Sequence, residues 1–275
     1  SHRANIIPHI FPTTGGYFMK HTSSQLKAIS RSALDGNWGL PIAANLLLFA
    51  ISFPIMFFIT FFTNTTTTTG TITSEFLTYA VSLFISLFSA GITKMTLNIS
   101  RKQSYSMKDM LYVFHHNADR FLIVGLVITV ISFITSLPVM FMSMNSNIPV
   151  SFIVFFSLFD LIISVIIDLF LGLSIYLLLD NPEMGAIDSM KESIRLMKGN
   201  KGRSLYITLS FLPLAFLSVF TCYIGLIWLI PYMDMTMTNF YRDIIGELNT
   251  PDNTPINEIP EMTMEQNPNG NESNF

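Results

Sequence analysis

Four long apolar runs constrain this chain more than any other feature of its sequence. They cover residues 41–62, 76–93, 121–142 and 152–179. Each approaches or exceeds the roughly 20 residues that an α-helix needs to cross the hydrocarbon core of a bilayer. Only 12% of the residues are charged, whereas a soluble domain carries about 25%. The chain is therefore predicted to be an all-α integral membrane protein.

Two further spans are predicted in the last apolar stretch, at 205–220 and 226–241. Apolar residues also recur at helical spacing in three more polar segments, near 23–34, 101–120 and 182–198. Each of these segments precedes one pair of spans. The predicted architecture is six transmembrane helices arranged as three hairpins, each preceded by an amphipathic helix.

The two ends of the chain differ from the predicted membrane domain, which covers residues 19–245. Residues 1–18 lack the positively charged, apolar, cleavable pattern of a secretory signal and are predicted to be a non-native or disordered leader. Residues 246–275 hold six acidic residues and no Lys or Arg. Their Asn/Pro/Glu-rich composition predicts a disordered acidic tail.

The distribution of basic residues predicts the topology. None of the 15 Lys and Arg residues falls in the loops 63–75, 143–151 and 221–225. The positive-inside rule then places both termini and all three amphipathic helices in the cytoplasm, as expected for a multi-pass protein of a bacterial plasma membrane.

Basic residues of the third amphipathic helix and of the corner after it are candidate contacts for anionic lipid head groups. Each would contribute about 1 kcal/mol near the membrane surface. The alternative is that these charges only set the topology. The residues are Lys191, Arg195, Lys198, Lys201 and Arg203.

Asn37, Asn117 and Asn200 each stand just before a predicted hairpin. They are 80 and 83 residues apart. Because the order of amphipathic helix, corner and hairpin occurs three times, we predict a threefold internal repeat with these asparagines at its corners.

A polar stripe runs along the fourth span, where Asp160, Ser164, Asp168 and Tyr176 recur at multiples of four residues. A carboxylate deep in the bilayer costs about 2.5–3.5 kcal/mol, and such groups usually face a bundle interior or a water path. Two interpretations stay open. The stripe forms a proton or cation pathway, or its carboxylates are protonated or bonded to Ser and Thr of the second span and hold the helices together.

Two other polar features are interpreted as packing elements. Ser82, Ser86, Ser89 and Thr93 form a stripe of small side chains on the second span, which favours close helix packing. Asp234 lies among methionines that are spaced two residues apart. Successive methionines at this spacing point about 200° apart on a helix, so packing is favoured over a soft-metal site, and no metal or cofactor is predicted.

Six motifs stand out along the chain: Leu34 to Gly39, Asp180-Asn181-Pro182, Glu192-Ser193, Leu196 to Lys201, Leu229 to Tyr232 and Phe240-Tyr241. They resemble a bacterial family of integral membrane proteins of unknown function, catalogued as DUF975 and common in Gram-positive bacteria. The resemblance covers about residues 19–245. It implies a multi-spanning plasma-membrane protein but brings no known activity or catalytic residues.

The sequence favours a non-enzymatic membrane protein that organises or modulates the cell envelope through lipid or protein partners. Its expected partners are membrane lipids with anionic head groups, and other membrane proteins. The alternative is a small transporter or channel that uses Asp160 and Asp168. No motif for nucleotide binding, nucleophilic catalysis or zinc binding is present, and no nucleic-acid partner is expected.

Overall fold

The computed structural model describes residues 20–63, 67–145 and 147–249, and every regular element in these residues is helical. The predicted leader, 1–18, and residues 250–275 of the predicted tail lie outside the described residues. Two short 3-10 turns, Met107–Leu111 and Glu247–Asn249, accompany the α-helices of this part of the chain. The helices are α1 Ser23–Leu34, α2 Gly39–Phe62, α3 Thr68–Ser100, α4 Tyr112–His115, α5 Ala118–Ser143, α6 Val150–Leu171, α7 Ser174–Asp180, α8 Ala186–Met197, α9 Lys201–Leu209, α10 Leu212–Phe220 and α11 Leu226–Ile244.

Five segments of the described chain are long and apolar enough to cross a membrane. They are α2, α3, α5, the stretch Val150–Asp180 formed by α6 and α7, and the stretch Lys201–Phe220 formed by α9 and α10. Each contains one of the first five predicted spans. Large apolar side chains cover their outer faces, as in α2, where Phe61 is 70% exposed. Apolar surface of this extent is suited to contact with lipid and not with water.

The predicted sixth span, 226–241, is not confirmed, because α11 covers it but is not among the five apolar segments. Its second half carries polar residues that are fully or nearly buried: Thr236, Thr238, Asn239, Arg242 and Asp243. These residues lower the hydropathy of α11 without facing lipid, because α1, α2 and α3 pack around it. Neither the sixth span nor the arrangement as three hairpins is tested by this packing, and both stay predictions.

Buried hydrogen bonds join α11 to its neighbours. The hydroxyls of Thr238 and Thr96 on α3 lie 2.9 Å apart. The Asn239 amide donates to Ser30 of α1 at 2.9 Å, and its carbonyl oxygen accepts from Ser100 at the end of α3. Buried polar groups are stable only when they are paired in this way, so the polar half of α11 fixes its register against α1 and α3.

The polar segments before the spans differ in how far they are helical. The first forms α1, capped by Thr22, whose side chain accepts from the Gln25 backbone. The second, predicted within 101–120, is limited to a 3-10 turn and the four-residue α4. It ends early because Asn117 adopts a left-handed backbone with φ of 55°, which turns the chain into α5.

The third polar segment becomes helical four residues later than predicted. Its first residues, 182–185, form the loop between α7 and α8 instead. The Asn181 side chain donates to the Leu177 carbonyl of α7 and so does not cap α8. The Pro182 carbonyl accepts from Asn117 and Arg120 of the α4–α5 region, which holds the loop against a different part of the chain.

Candidate functional site

The bundle contains a polar cavity of about 590 Å³ between α3, α5, the α6–α7 region and α11. Asp168 of α6 and Asp234 of α11 line it, and they are the only charged residues among the described residues that do so. Most of its other polar groups are hydroxyls. Those of α3 and α5 belong to Tyr79, Ser82, Ser86, Ser89, Thr93, Thr129 and Ser132.

The serine and threonine stripe of α3 faces this cavity, whereas the sequence predicted that it would pack against a neighbouring helix. The hydroxyl hydrogens of Ser82, Ser86 and Thr93 are already used within α3. Ser82 donates to the Thr78 carbonyl at 2.8 Å, and Ser86 donates to the Leu83 carbonyl at 2.7 Å. A hydroxyl has one hydrogen and two lone pairs. These side chains therefore offer the cavity oxygen atoms that accept hydrogen bonds.

Asp168 lies where α6 ends, and its side chain is exposed to the cavity. Gly172 follows one turn later, and its N–H donates to the Asp168 carbonyl at 2.8 Å. A Cβ atom at position 172 would lie 2.6 Å from that carbonyl oxygen and 2.9 Å from Asp168 Oδ1. Any larger residue would therefore displace the carboxylate, so Gly172 leaves it room.

The backbone is irregular between α6 and α7, beside the cavity. Ser193 of α8 bridges this break, because its hydroxyl donates to the Phe170 carbonyl at 2.8 Å and accepts from the Leu173 N–H at 3.2 Å. Irregular backbone within a membrane domain is tolerated only where protein or a cavity satisfies its polar groups. Ser193 supplies that partner and ties α8 to the helix that carries Asp168.

Asp234 comes to the cavity from the central helix α11. Asn45 of α2 lies close to it, and Met233 and Met237 line the cavity on either side of it. The methionines thus form an apolar wall beside a carboxylate. Among the described residues, no group of three or more His, Cys, Asp or Glu side chains is placed to hold a metal ion.

The predicted polar stripe of the fourth span is divided by the structure. Asp168 and Tyr176 line the cavity, but Asp160 and Ser164 are not among the lining residues. Residues four apart on a helix are rotated by about 40° relative to each other. Asp160 is therefore turned about 80° away from Asp168 around α6, and a spacing of four alone cannot keep both on the cavity.

A network of largely buried ions lies where α3, α7 and α11 end, which we call the charged end of the bundle. Arg101 donates to both oxygens of Asp180, at 2.6 and 2.8 Å, and to Glu247 at 2.8 Å. Arg242 donates to Glu247 at 2.7 Å and to the Ser100 carbonyl at 2.7 Å. Two arginines thus share one carboxylate and join the ends of three helices.

This network explains why the bundle extends past residue 245, where the predicted tail begins. Glu247 and the buried Leu248 pack on the ends of the helices. Burial alone would raise the pKa of Glu247, but the hydrogen bonds from Arg101 and the charge of Arg242 outweigh it and hold that pKa below its ordinary value. Glu247 is therefore a charged member of the fold.

The cavity and the charged end meet at two tyrosines. Tyr176 lines the cavity and stacks on Tyr241 of α11, with ring centroids 5.0 Å apart. The Tyr241 hydroxyl donates to Asp180 at 2.8 Å. The stacked rings and the Tyr241–Asp180 hydrogen bond thus connect the lining of the cavity to the Arg101 network.

The five candidate lipid contacts occupy different environments. Lys191, Arg195 and Lys198 are exposed, and Arg195 forms an ion pair with Glu192 on the same helix. Lys201 lies over the Phe170 ring, 3.2 Å from its centroid. Arg203 forms an ion pair with the buried Asp243, so it serves as an internal structural residue.

The three corner asparagines do not make the same contacts. Asn37 and Asn200 each donate to the carbonyl four residues earlier, at 3.1 and 2.7 Å. Asn117 donates instead to the distant Pro182 carbonyl at 3.0 Å. Two corners are thus alike in their hydrogen bonding, and the threefold repeat stays a prediction.

Sequence reasoning missed Asp234 as a cavity residue and the whole charged end. A signal for the latter was present, since Arg242-Asp243 follows the aromatic pair at the end of a mostly apolar helix. Charges next to large apolar residues in such a position need partners. Nothing in the sequence identifies those partners, because Arg101 and Asp180 are 79 residues apart.

Comparison with known proteins agrees with the resemblance found in the sequence motifs. A family model described as a protein of unknown function, DUF975, matches residues 19–247, a range that includes every residue of the cavity and of the charged end. No curated protein and no solved structure matches the chain. The chain belongs to the DUF975 family.

Proposed function

We propose that the protein is a non-enzymatic, multi-pass plasma-membrane protein that carries a cation across the membrane through its polar cavity. One observation carries the proposal: Asp168 and Asp234, from two different helices, line the same cavity inside an apolar bundle. Intramembrane carboxylates are costly and commonly mark ion or substrate pathways. The alternative predicted from the sequence is a transporter or channel that uses Asp160 and Asp168. The proposal here uses Asp168 together with Asp234, because Asp160 does not line the cavity.

The broken helix beside Asp168 supports the same proposal. Transporter sites commonly lie near the bilayer midplane where spanning helices are interrupted, and the α6–α7 break borders this cavity. The absence of Lys and Arg from three of the predicted loops supports an orientation in which the charged end faces the cytoplasm. Both termini would then be cytoplasmic.

Charge-neutralising substitutions test the proposal. Purified protein is reconstituted in vesicles on a solid-supported membrane, and currents are recorded after concentration jumps of sodium, potassium and n-butylammonium. We expect Asp168→Asn and Asp234→Asn to reduce the current of the transported cation roughly tenfold or more, because each removes a charge-assisted contact worth about 1.5–3 kcal/mol.

Asp160→Asn is the matched control, because Asp160 lies on the same helix but does not line the cavity. It should retain the wild-type current. If Asp168→Asn and Asp234→Asn protein give the same currents as the wild type, these carboxylates do not bind the transported cation. A wild-type current no larger than that of protein-free vesicles would refute transport of these cations altogether.

The exposed face of α8 favours a second function, binding of anionic lipid. Ile187 and Ile194 are 60% and 42% exposed, and Lys191 and Lys198 lie on the same face at helical spacing. A face that combines apolar and basic side chains is suited to the surface of an anionic membrane. This function would serve the envelope-organising role that the sequence favours and is compatible with transport.

Lipid retention tests this second function. Native mass spectrometry of Lys191→Gln/Lys198→Gln protein should show less bound phosphatidylglycerol than wild type, because about 1 kcal/mol per basic residue is lost. Lys108→Gln, which changes a lysine outside α8, is the control. Equal phosphatidylglycerol retention by the double variant and wild type would count against α8 as the lipid-binding element.

A further inference from the structure

The chemistry of the cavity walls identifies a narrower class of ligand than a cation in general. On the α3 side, Ser82, Ser86 and Thr93 all donate their hydrogens to carbonyls of their own helix, at 2.7 to 3.1 Å. Thr208 of α9 does the same toward the Ser204 carbonyl at 3.2 Å. The hydroxyl oxygens therefore act toward a ligand as acceptors.

The two carboxylates have the same preference. Ionised Asp168 and Asp234 can only accept hydrogen bonds, and Asp168 is exposed to the cavity. Carboxylates and hydroxyls of this kind are satisfied by a ligand that has a positive charge and several N–H donors. A quaternary ammonium ion, which has no N–H groups, would meet the charge but leave these acceptors unpaired.

Much of the remaining surface is apolar. Met233, Met237, Leu173 and Ile175 line the cavity with no polar hydrogen to offer. Methionine side chains are flexible and polarisable and adapt to irregular hydrocarbon shapes. A wall of this composition gains nothing from a hydrated inorganic ion, whereas it stabilises an alkyl group through burial of apolar surface.

The size of the cavity is consistent with an organic molecule. Sites for small organic ligands have volumes of about 300–1,000 Å³, and this cavity has about 590 Å³. A single inorganic cation would fill a small part of that space. The aromatic rings of Tyr79 and Tyr176 also line it and attract a cation held over their faces.

We propose that the ligand is an alkylammonium ion: a protonated primary amine on a short hydrocarbon body. This inference rests on the proposed function, since it names the class of cation that the cavity carries. The three N–H donors of the ammonium group pair with the carboxylates of Asp168 and Asp234 and with one hydroxyl oxygen of α3. The alkyl body lies against the methionine and leucine side chains.

Four small probes separate the contributions. Binding of n-butylammonium, tetramethylammonium, n-butanol and potassium to the purified protein in detergent is measured by isothermal titration calorimetry. n-Butylammonium should bind best. Tetramethylammonium has the charge without N–H donors and n-butanol has the alkyl chain without the charge, so each should bind roughly tenfold more weakly or worse, since hydrogen bonds to charged groups contribute about 1.5–3 kcal/mol.

Variants locate the binding to the cavity. Asp168→Asn should weaken n-butylammonium binding about tenfold or more, and the control Asp160→Asn should not change it. Ser82→Ala/Ser86→Ala removes acceptors from the α3 wall without removing a charge, so it provides a second test if Asp168→Asn protein does not fold. It should weaken n-butylammonium binding several-fold and leave the already weak binding of tetramethylammonium unchanged.

The outcomes distinguish this inference from the proposed function. Potassium or tetramethylammonium binding as tightly as n-butylammonium would overturn the alkylammonium assignment, as would n-butylammonium binding that is insensitive to both sets of variants. If potassium gives Asp168-dependent currents while n-butylammonium does not bind, cation transport stands and the ligand class is wrong. If no cation gives an Asp168-dependent signal in either experiment, both are wrong.

Discussion

Arg101→Met should destabilise the protein by about 3–5 kcal/mol, because it removes the cation that pairs with two buried carboxylates. The side chains of Asp180 and Glu247 are only 14% and 26% exposed. Without Arg101, Asp180 keeps the Tyr241 hydroxyl as a partner but loses the arginine that contacted both of its oxygens. A buried carboxylate without a counter-charge carries most of the cost.

Thermal unfolding in detergent measures this effect. A loss of several kcal/mol in a protein of this size lowers the midpoint by on the order of 10 °C. Lys191→Met is the matched control, since Lys191 pairs with Asp188 and both side chains are 74% exposed. Exposed pairs contribute about 1 kcal/mol or less, so the control should shift the midpoint by ~3 °C at most.

A double substitution separates the loss of charge compensation from a loss of packing. Asp180→Asn removes the carboxylate that Arg101→Met leaves uncompensated, so the two substitutions together should cost less than the sum of their separate effects. Strict additivity would show that Arg101 and Asp180 are not coupled. An Arg101→Met midpoint equal to that of Lys191→Met would show that the charged end contributes little to stability.

The spans were predictable from sequence because hydropathy reports on the side chains that face lipid. The predicted first span, 41–62, differs from α2 by two residues at one end. The same reasoning is insufficient for α11, whose buried polar residues contact other helices and not lipid. Hydropathy cannot distinguish a polar residue that faces water from one that is paired inside a bundle.

The candidate site was predictable only in part. Periodicity identified Asp168, Tyr176 and the hydroxyl stripe of α3, but it could not show whether the opposite helix touches the stripe or leaves a gap. Asp234 was discounted because the methionines around it do not converge on a metal. Methionine spacing bears only on metal binding, and it contains no sign that Asp234 reaches a cavity shared with α6.

Long-range pairing and local backbone geometry account for the rest. Arg101 and Asp180 pair across 79 residues, and a single sequence contains no signal that links them. The break between α6 and α7 has no proline to mark it. It is visible in the structure through the bonds that Ser193 makes to Phe170 and Leu173.

The second large effect is expected at Gly91, where α3 crosses the 3-10 turn Met107–Leu111. A Cβ atom at position 91 would lie 2.3 Å from the Met110 carbonyl oxygen and 2.6 Å from the Met110 Cα atom. Backbone atoms cannot rotate away as a flexible side chain can. Gly91→Ala must therefore push the 3-10 turn off α3.

We expect Gly91→Ala to destabilise the protein by about 1–3 kcal/mol, the usual cost of an extra methyl group in a tightly packed site, and Gly91→Val to cost more. Helix propensity alone predicts the opposite, because alanine is favoured over glycine in a helix by about 1 kcal/mol. Gly202→Ala in α9 isolates that propensity effect, since a Cβ atom there meets nothing within 4 Å.

In thermal unfolding, Gly202→Ala should leave the midpoint unchanged or raise it, while Gly91→Ala lowers it. If the midpoints of Gly91→Ala and Gly202→Ala both shift upward, the 3-10 turn moves away from α3 at no measurable cost. The close contact at Gly91 then does not anchor the turn to α3.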